Sequence, residues 1–224
     1  MTTYRHQIAI INLSVTHSSS AAQKEPNVPT PYPGPVTTTA VLLAAGGGTR
    51  FIGPTHKLLV MLDGRPVYRR ALDHLLEAGF DGVIVVTGAV ELDIEEPSVT
   101  VLQNRRWQRG QAGSLQLALG EAANRADEFV VVGLADQPFI TSSAWRTIAT
   151  AESAAPIVVA TYGGIRGPNP VRLHRSVWSQ LPTDGDEGAR TLVRLHPEWV
   201  DELACEGSAA DIDTLEDLAP WTNS

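Results

Sequence analysis

The sequence predicts an α/β fold, a three-layer sandwich in which helices cover both faces of a mostly parallel sheet. Short, continuous apolar runs recur along the chain, for example at residues 40–45, 83–86 and 129–134. Stretches with helical spacing of apolar residues lie between them, for example at 67–78. Strands that are buried on both faces read as continuous apolar runs, and their alternation with helices is typical of parallel sheets.

The individual elements follow from the same two patterns. Residues 67–78 place Leu72, Leu75 and Leu76 on one side of a helix, which Gly79 ends. The predicted strands are 40–45, 83–86, 99–102, 129–134, 157–160 and 170–173, and the predicted helices are 67–78, 114–123, 142–151 and 190–195. Ligands of such sheets bind at the carboxyl ends of the strands, so the loops that follow the strands form the candidate site.

The N-terminal segment differs from the rest of the chain. A run of three serines at 18–20 precedes five prolines between positions 26 and 35, which favours an extended linker over helix or central strand. We therefore predict a disordered Pro/Ser-rich leader over residues 1–37 and one domain over 38–224. A secretory signal is the alternative, but the apolar run at 8–15 is short and is broken by Asn12.

Composition excludes several classes of protein. The 224 residues carry 17 Lys and Arg against 25 Asp and Glu, a formal charge of −8, which speaks against a nucleic-acid binder. No apolar run approaches the roughly 18 residues that span a bilayer, so no membrane association is predicted. The single cysteine, Cys205, cannot form an internal disulfide and fits a reducing compartment, so we predict a cytoplasmic protein.

A glycine loop follows the first predicted strand. Gly46, Gly47 and Gly48 let backbone amides approach a ligand closely, and Arg50 and Lys57 add positive charge for phosphate oxygens. The residue after Lys57 is leucine, so the spacing is not that of a P-loop. It is not the dinucleotide fingerprint either, which speaks against an NAD-dependent oxidoreductase. A flexible strand-to-helix turn is the alternative interpretation.

Two carboxylates are candidate metal ligands. Asp136 comes just after the apolar strand 129–134, and Asp213 lies in the acidic stretch 211–217. Mg²⁺ prefers carboxylates together with substrate phosphates and retained waters. The alternative is helix capping, in which Asp213 or Thr214 would begin a helix.

Taken together, these motifs resemble the nucleotidyltransferases of the molybdenum cofactor family. The matching positions are Leu43-Ala44-Ala45-Gly46 with Arg50 and Lys57, Asn104 with Gly110 and Ser114-Leu115, 135–138, 167–171, 186–190 and 211–214. The segment 51–56 departs from the family pattern by Phe51-Ile52 before Gly53 and by three additional residues before Lys57. Leu215 also stands where the family usually has proline.

The resemblance implies a Rossmann-like sheet of the nucleotidyltransferase type and transfer of a nucleotide from an NTP to a phosphate monoester, molybdopterin. It implies catalytic roles for Arg50 and Lys57 and a Mg²⁺ ion held by Asp136 and Asp213. Because Leu-Ala-Ala-Gly accompanies the use of CTP in that family, the resemblance also implies that Ala45 favours CTP over GTP. Nucleotide-binding residues implied in this way are Leu43, Ala44, Ala45, Gly46, Gly47, Gly48, Thr49, Asn104, Gly113, Ser114 and Asp136.

The acceptor side is less determined. The resemblance places Asn169 and Arg190 there, although histidine is common where Asn169 stands. It also suggests a molybdoenzyme or a chaperone as protein partner. Two alternatives stay open, a nucleotidyltransferase for a sugar phosphate, methylerythritol phosphate or similar metabolite, and a non-catalytic nucleotide-binding relative.

Overall fold

The computed structural model describes residues 37–221, and the predicted leader lies outside them except for Thr37. The strands are β1 (Thr38–Ala44), β2 (Met61–Leu62), β3 (Arg65–Pro66), β4 (Gly82–Thr87), β5 (Val99–Gln103), β6 (Phe129–Leu134), β7 (Ile157–Tyr162), β8 (Ile165–His174) and β9 (Val200–Ala204). The α-helices are α1 (Val67–Glu77), α2 (Gln111–Asn124), α3 (Ser142–Ala149) and α4 (Arg190–Leu195). None of the helices in this range is long and apolar enough to cross a membrane.

Seven strands form one sheet in the order β5-β4-β1-β6-β8-β7-β9. The central strand β1 pairs in parallel with β4 and β6, so that Val41 lies between Ile84 and Val132. Only β8 runs against its neighbours β6 and β7. The prediction of a mostly parallel sheet is therefore confirmed.

Alternation along β1 supplies both layers of core. Leu42 faces a cluster that contains Leu72 of α1 and Trp145 of α3, whereas Val41 faces a cluster that contains Leu115 of α2. Successive side chains of a strand point to opposite faces, so a continuous apolar run is what a sheet covered on both sides requires. This arrangement is the predicted three-layer sandwich.

Helix α1 ends as its sequence predicts. Gly79 adopts a positive φ of 78°, the left-handed conformation in which glycine commonly terminates a helix, directly after the C-cap residue Ala78. Thr141 caps α3 by accepting a hydrogen bond from the Ala144 amide at 3.2 Å. Because Thr141 has this role, Asp136 is not needed as a helix cap.

Candidate active site

A cavity of about 780 Å³ opens at the carboxyl ends of β1 and β6. Its position agrees with the rule that places ligands at this edge of an α/β sheet. Most of the residues singled out from the sequence line it, namely Leu43, Ala44, Ala45, Gly46, Gly47, Gly48, Thr49, Arg50, Lys57, Ser114, Asp136, Arg190 and Asp213.

Four charged side chains meet on the floor of this cavity. The Lys57 ammonium lies 2.6 Å from Asp136 Oδ2 and 2.7 Å from Asp213 Oδ1. Arg50 reaches the other oxygen of Asp213 at 2.7 Å. The Lys57 side chain is only 10% exposed, whereas that of Arg50 is 77% exposed. Lys57 is therefore a fixed positive charge, and Arg50 is free to move toward a ligand.

Backbone hydrogen bonds bring these carboxylates together from distant parts of the chain. Asp136 follows the end of β6, and its carbonyl accepts from the Ile212 amide at 2.9 Å. The Asp217 carboxylate accepts from the amides of Asp213 at 2.9 Å and Thr214 at 2.7 Å, which fixes the turn that presents Asp213. Asp217 is thus the capping carboxylate of this segment, and Asp213 is left for the cavity.

The pKa values of Lys57 and Asp136 depend on burial and on the charges of neighbouring groups. Burial opposes the charge of Lys57, but the carboxylates of Asp136 and Asp213 outweigh it and hold the pKa of Lys57 above its ordinary value. Burial raises the pKa of Asp136 although the Lys57 ammonium acts against the rise. Lys57 is therefore fully protonated at neutral pH, which is the state that stabilises developing negative charge.

The carboxylates fit a divalent cation that is shared with a polyphosphate. Asp136 Oδ1 is buried and has no hydrogen-bond partner in the described part of the chain, so a lone pair remains for a ligand. Within residues 37–221, no group of three or more His, Cys, Asp or Glu side chains is placed to hold a metal by itself. Mg²⁺ commonly uses one or two carboxylates, with substrate phosphates and waters as the remaining ligands.

The glycine loop supplies hydrogen-bond donors. From Gly46 to Thr49, none of the backbone amides donates to a backbone acceptor in the described residues. Consecutive free amides that line a cavity form an anion-binding site. The loop therefore offers the donors that phosphate oxygens accept from.

His56 stabilises the glycine loop by a hydrogen bond. Its Nδ1 accepts from the Leu58 amide at 3.3 Å, so its Nε2 carries the proton and donates to the Gly46 carbonyl at 3.0 Å. Burial, with the nearby Lys57 charge, lowers the pKa of His56 although its hydrogen bonds to backbone carbonyls act to raise it. The imidazole is therefore neutral. The departure from the family pattern at 51–56 thus provides an additional support for the loop.

The structure separates two of the expected nucleotide-binding residues from the cavity wall. Asn104 is buried, its Nδ2 donates to Ser114 Oγ at 2.9 Å, and its Oδ1 accepts from the Arg106 amide at 2.9 Å. Gly113 lies beside it within α2. Of this group only Ser114 lines the large cavity, so Asn104 orients Ser114 and the turn before α2.

A second cavity of about 420 Å³ adjoins the first, and Gln111 and Arg190 line both. It contains Asn169, whose Nδ2 donates to Gln137 Oε1 at 2.8 Å. The apolar part of its lining consists of Leu115, Val132, Val159, Pro168, Val171, Ala189 and Val193. The two predicted acceptor residues therefore lie together, with Arg190 between the cavities.

Sequence reasoning missed several residues of the large cavity. Trp107 was not singled out from the sequence as a site residue; it contacts the core, and its ring also lines the cavity. Its position three residues before Gly110, inside a matching motif, was the available signal. The other lining residues not assigned a role are Leu58, Gln108, Gly110, Gln111, Leu134 and Asp211.

Comparison with protein families agrees with this geometry. Residues 40–202 match the MobA-like NTP transferase domain. The chain belongs to the MobA-like NTP transferase family. The match includes the glycine loop, Lys57, Asp136 and both predicted acceptor residues, and it ends before Asp213.

Proteins similar to this chain match most of its length. A protein named nicotine blue oxidoreductase, from Paenarthrobacter nicotinovorans, is 31% identical over 198 residues, which are 80% of this chain and 94% of that protein. Rv0371c from Mycobacterium tuberculosis H37Rv has a crystal structure with a TM-score of 0.70 and 31% identity, over 84% of this chain and 99% of that one. A second structure of Rv0371c is a complex with manganese, with a TM-score of 0.67 and 29% identity over 84% of this chain and 100% of that chain.

Proposed function

We propose that this chain transfers CMP from CTP to the phosphate of molybdopterin and releases pyrophosphate, with Mg²⁺ as its divalent cation. The observation that carries the proposal is the placement of Lys57 between Asp136 and Asp213 beside the free amides of the glycine loop. A metal-bound triphosphate requires a buried positive charge, a carboxylate oxygen that is available to the metal, and unpaired backbone amides for its phosphates. Family membership supports the reaction class, and the manganese complex of Rv0371c supports a divalent metal.

The chemistry requires charge neutralisation more than proton transfer. An acceptor phosphate oxygen, already ionised at neutral pH, forms a bond to the α-phosphorus while the bond to the pyrophosphate oxygen breaks. Lys57 stabilises the negative charge that develops on the transferring group, and Arg50 stabilises the charge on the departing pyrophosphate. The glycine-loop amides hold the β- and γ-phosphates. Asp136 and Asp213 would hold the metal, which would supply positive charge to neutralise the phosphates.

The acceptor is proposed to approach from the second cavity. Arg190 lines both cavities and its exposed guanidinium can clamp a phosphate bidentately, while the apolar lining suits a flat ring system. This lining is compatible with molybdopterin, and the polar groups of Gln111, Arg166 and Glu187 in the same cavity can pair with the polar atoms of an acceptor. A cytoplasmic location and a molybdoenzyme or chaperone that receives the product complete the proposal.

A second candidate is an oxidoreductase activity on a heteroaromatic compound. The observation that favours it is the similarity over 94% of the protein named nicotine blue oxidoreductase. The glycine spacing after β1 speaks against dinucleotide binding in the manner of a Rossmann fingerprint.

The deciding experiment measures pyrophosphate release from each of the four NTPs with Mg²⁺, with and without molybdopterin. The proposal expects release from CTP only when molybdopterin is present. Release with GTP alone would refute the CTP assignment, and release with another phosphorylated acceptor alone would refute molybdopterin. If no NTP is consumed but NADH or NADPH is oxidised in the presence of nicotine blue, the oxidoreductase is the correct function.

A further inference from the structure

The large cavity has chemically different ends. Lys57, Asp136 and Asp213 lie at the end formed by β6, on one side of the central strand β1. On the other side of β1, the chain that leaves the edge strand β5 contributes Trp107. A ligand that places its phosphates at the charged end therefore extends its remaining part toward Trp107.

Trp107 is held firmly in this wall. It begins a short 3-10 helix, Trp107–Arg109, that follows the turn fixed by the buried side chain of Asn104. Two glycines make room for it: a Cβ on Gly47 would lie 2.5 Å from Trp107 Cζ3, and a Cβ on Gly88 would lie 2.8 Å from Trp107 Cβ. The indole thus packs on the glycine loop by one edge of its six-membered ring.

The ring is nevertheless only half-buried, and it lines the large cavity. The contrast is with Trp178, which is buried and donates its Nε1 proton to the Leu173 carbonyl at 3.1 Å. Trp107 donates no such hydrogen bond within the described residues. A rigid, partly exposed aromatic ring at one end of a cavity is an arrangement that binds another flat ring.

We propose that Trp107 is the stacking surface for the base of the bound nucleotide, a role that rests on the proposed nucleotidyltransferase function. Ala45 closes the same end of the cavity, because its methyl group and Trp107 Cβ would both lie 2.8 Å from a Cβ on Gly88. Trp107 therefore supplies affinity for any base, since every base has an aromatic face, and Ala45 limits its size. Trp107 does not line the second cavity, so the acceptor does not use it.

The test separates contact with the base from support of the phosphate loop. Isothermal titration calorimetry measures Kd for each of the four NTPs and for inorganic tripolyphosphate, all with Mg²⁺. Tripolyphosphate shares the phosphates and lacks the base. The variants are Trp107→Leu and Trp107→Met, which remove the aromatic face, and Trp107→Phe, which keeps one. Trp199→Leu is the matched control, because Trp199 packs on the same core cluster and lines neither cavity.

We expect Trp107→Leu or Trp107→Met to raise the Kd of the preferred NTP about tenfold or more and to leave that of tripolyphosphate within about twofold. Trp107→Phe and Trp199→Leu should bind the NTP nearly as the wild type does. An unchanged Kd for the NTP would overturn the stacking role, as would an equal loss for the NTP and tripolyphosphate. A wild-type protein that binds no NTP would refute the proposed function, and the inference with it.

Discussion

Lys57 and Asp136 form a buried ion pair, with 2.6 Å between Nζ and Oδ2, although 79 positions separate them in the chain. The pair joins the loop after β1 to the end of the neighbouring parallel strand β6. Lys57 is also paired with Asp213, so two carboxylates compensate the buried ammonium for its lost hydration. A site that keeps such a pair gains a preorganised positive charge.

Replacement of Lys57 by methionine should abolish most of the transfer. The change keeps the length of the side chain and removes the charge that stabilises the transition state, so we expect kcat to fall by about 100-fold to 1000-fold. The rate of pyrophosphate release at saturating substrates measures this kcat. Arg65→Ala removes an exposed arginine that pairs with Asp73 outside the cavity, and it should keep wild-type turnover. Near-normal turnover of Lys57→Met in a folded protein would contradict the role of Lys57.

A methyl group added to Gly47 should disturb the site. Its Cβ would lie 2.5 Å from the Trp107 ring, so the ring or the loop must move, and we expect the Kd for the NTP to rise about tenfold or more. Gly120→Ala is the control for an added methyl group, because a Cβ at this position of helix α2 would have no other atom within 4 Å. That control should stabilise the fold by about 0.5–1 kcal/mol in urea unfolding. Equal NTP affinity in Gly47→Ala and wild type would show that the contact is easily relieved.

The pH dependence of stability should depend on His56. Its pKa is lowered in the folded state, so between that pKa and the ordinary 6.5 the unfolded chain binds a proton that the folded chain does not. The free energy of unfolding therefore falls as pH drops below about 6.5. His56→Gln should show a shallower fall between pH 7.5 and 5, measured by urea unfolding. The pKa of His174 is also lowered, but His174 is present in both proteins, so its contribution to the pH dependence cancels in the comparison. Parallel curves would contradict the neutral, half-buried state of His56.

Arg190→Ala should affect the acceptor more than the nucleotide. The guanidinium lies between the two cavities, so its loss should raise KM for the acceptor about tenfold and leave the Kd of the NTP nearly unchanged. Arg50→Ala should show the opposite pattern, because Arg50 lies beside the glycine loop and contacts Asp213. Steady-state kinetics with the acceptor varied at saturating NTP, and the reverse, distinguish the two. An increase in both constants for Arg190→Ala would place Arg190 at the triphosphate.

The sequence predicted the centre of the fold well because each central strand is buried on both faces. Residues 40–45, 83–86 and 129–134 are continuous apolar runs, and the strands β1, β4 and β6 lie there. β9 was missed because it is an edge strand with polar and exposed residues such as Asp201 and Glu202, which carry no apolar pattern. The two-residue strands β2 and β3 are too short for any periodicity.

The site was predicted through its motifs, and its geometry was not. Lys57, Asp136 and Asp213 were singled out by their charge and their place near predicted strand ends and in the acidic stretch, and a resemblance then supplied their roles. Nothing in their spacing indicates that one ammonium contacts both carboxylates. The hydrogen bonds of His56 and the exposure of Trp107 depend on how the loop after β1 and the turn after β5 pack together. Contacts between loops of distant strands follow from the tertiary fold, which local patterns do not encode.

The route by which Asp213 reaches Lys57 has a consequence for the timing of synthesis. A ribosome releases the chain from its N-terminus onward, and the central strands β4, β1 and β6 have all emerged once Leu134 has done so. At that stage Lys57 still lacks one of its two carboxylate partners, Asp213, which lies 156 positions after it. A nascent chain can therefore assemble the middle of its sheet before Asp213 has been synthesised, and the charged cluster around Lys57 is complete only after that.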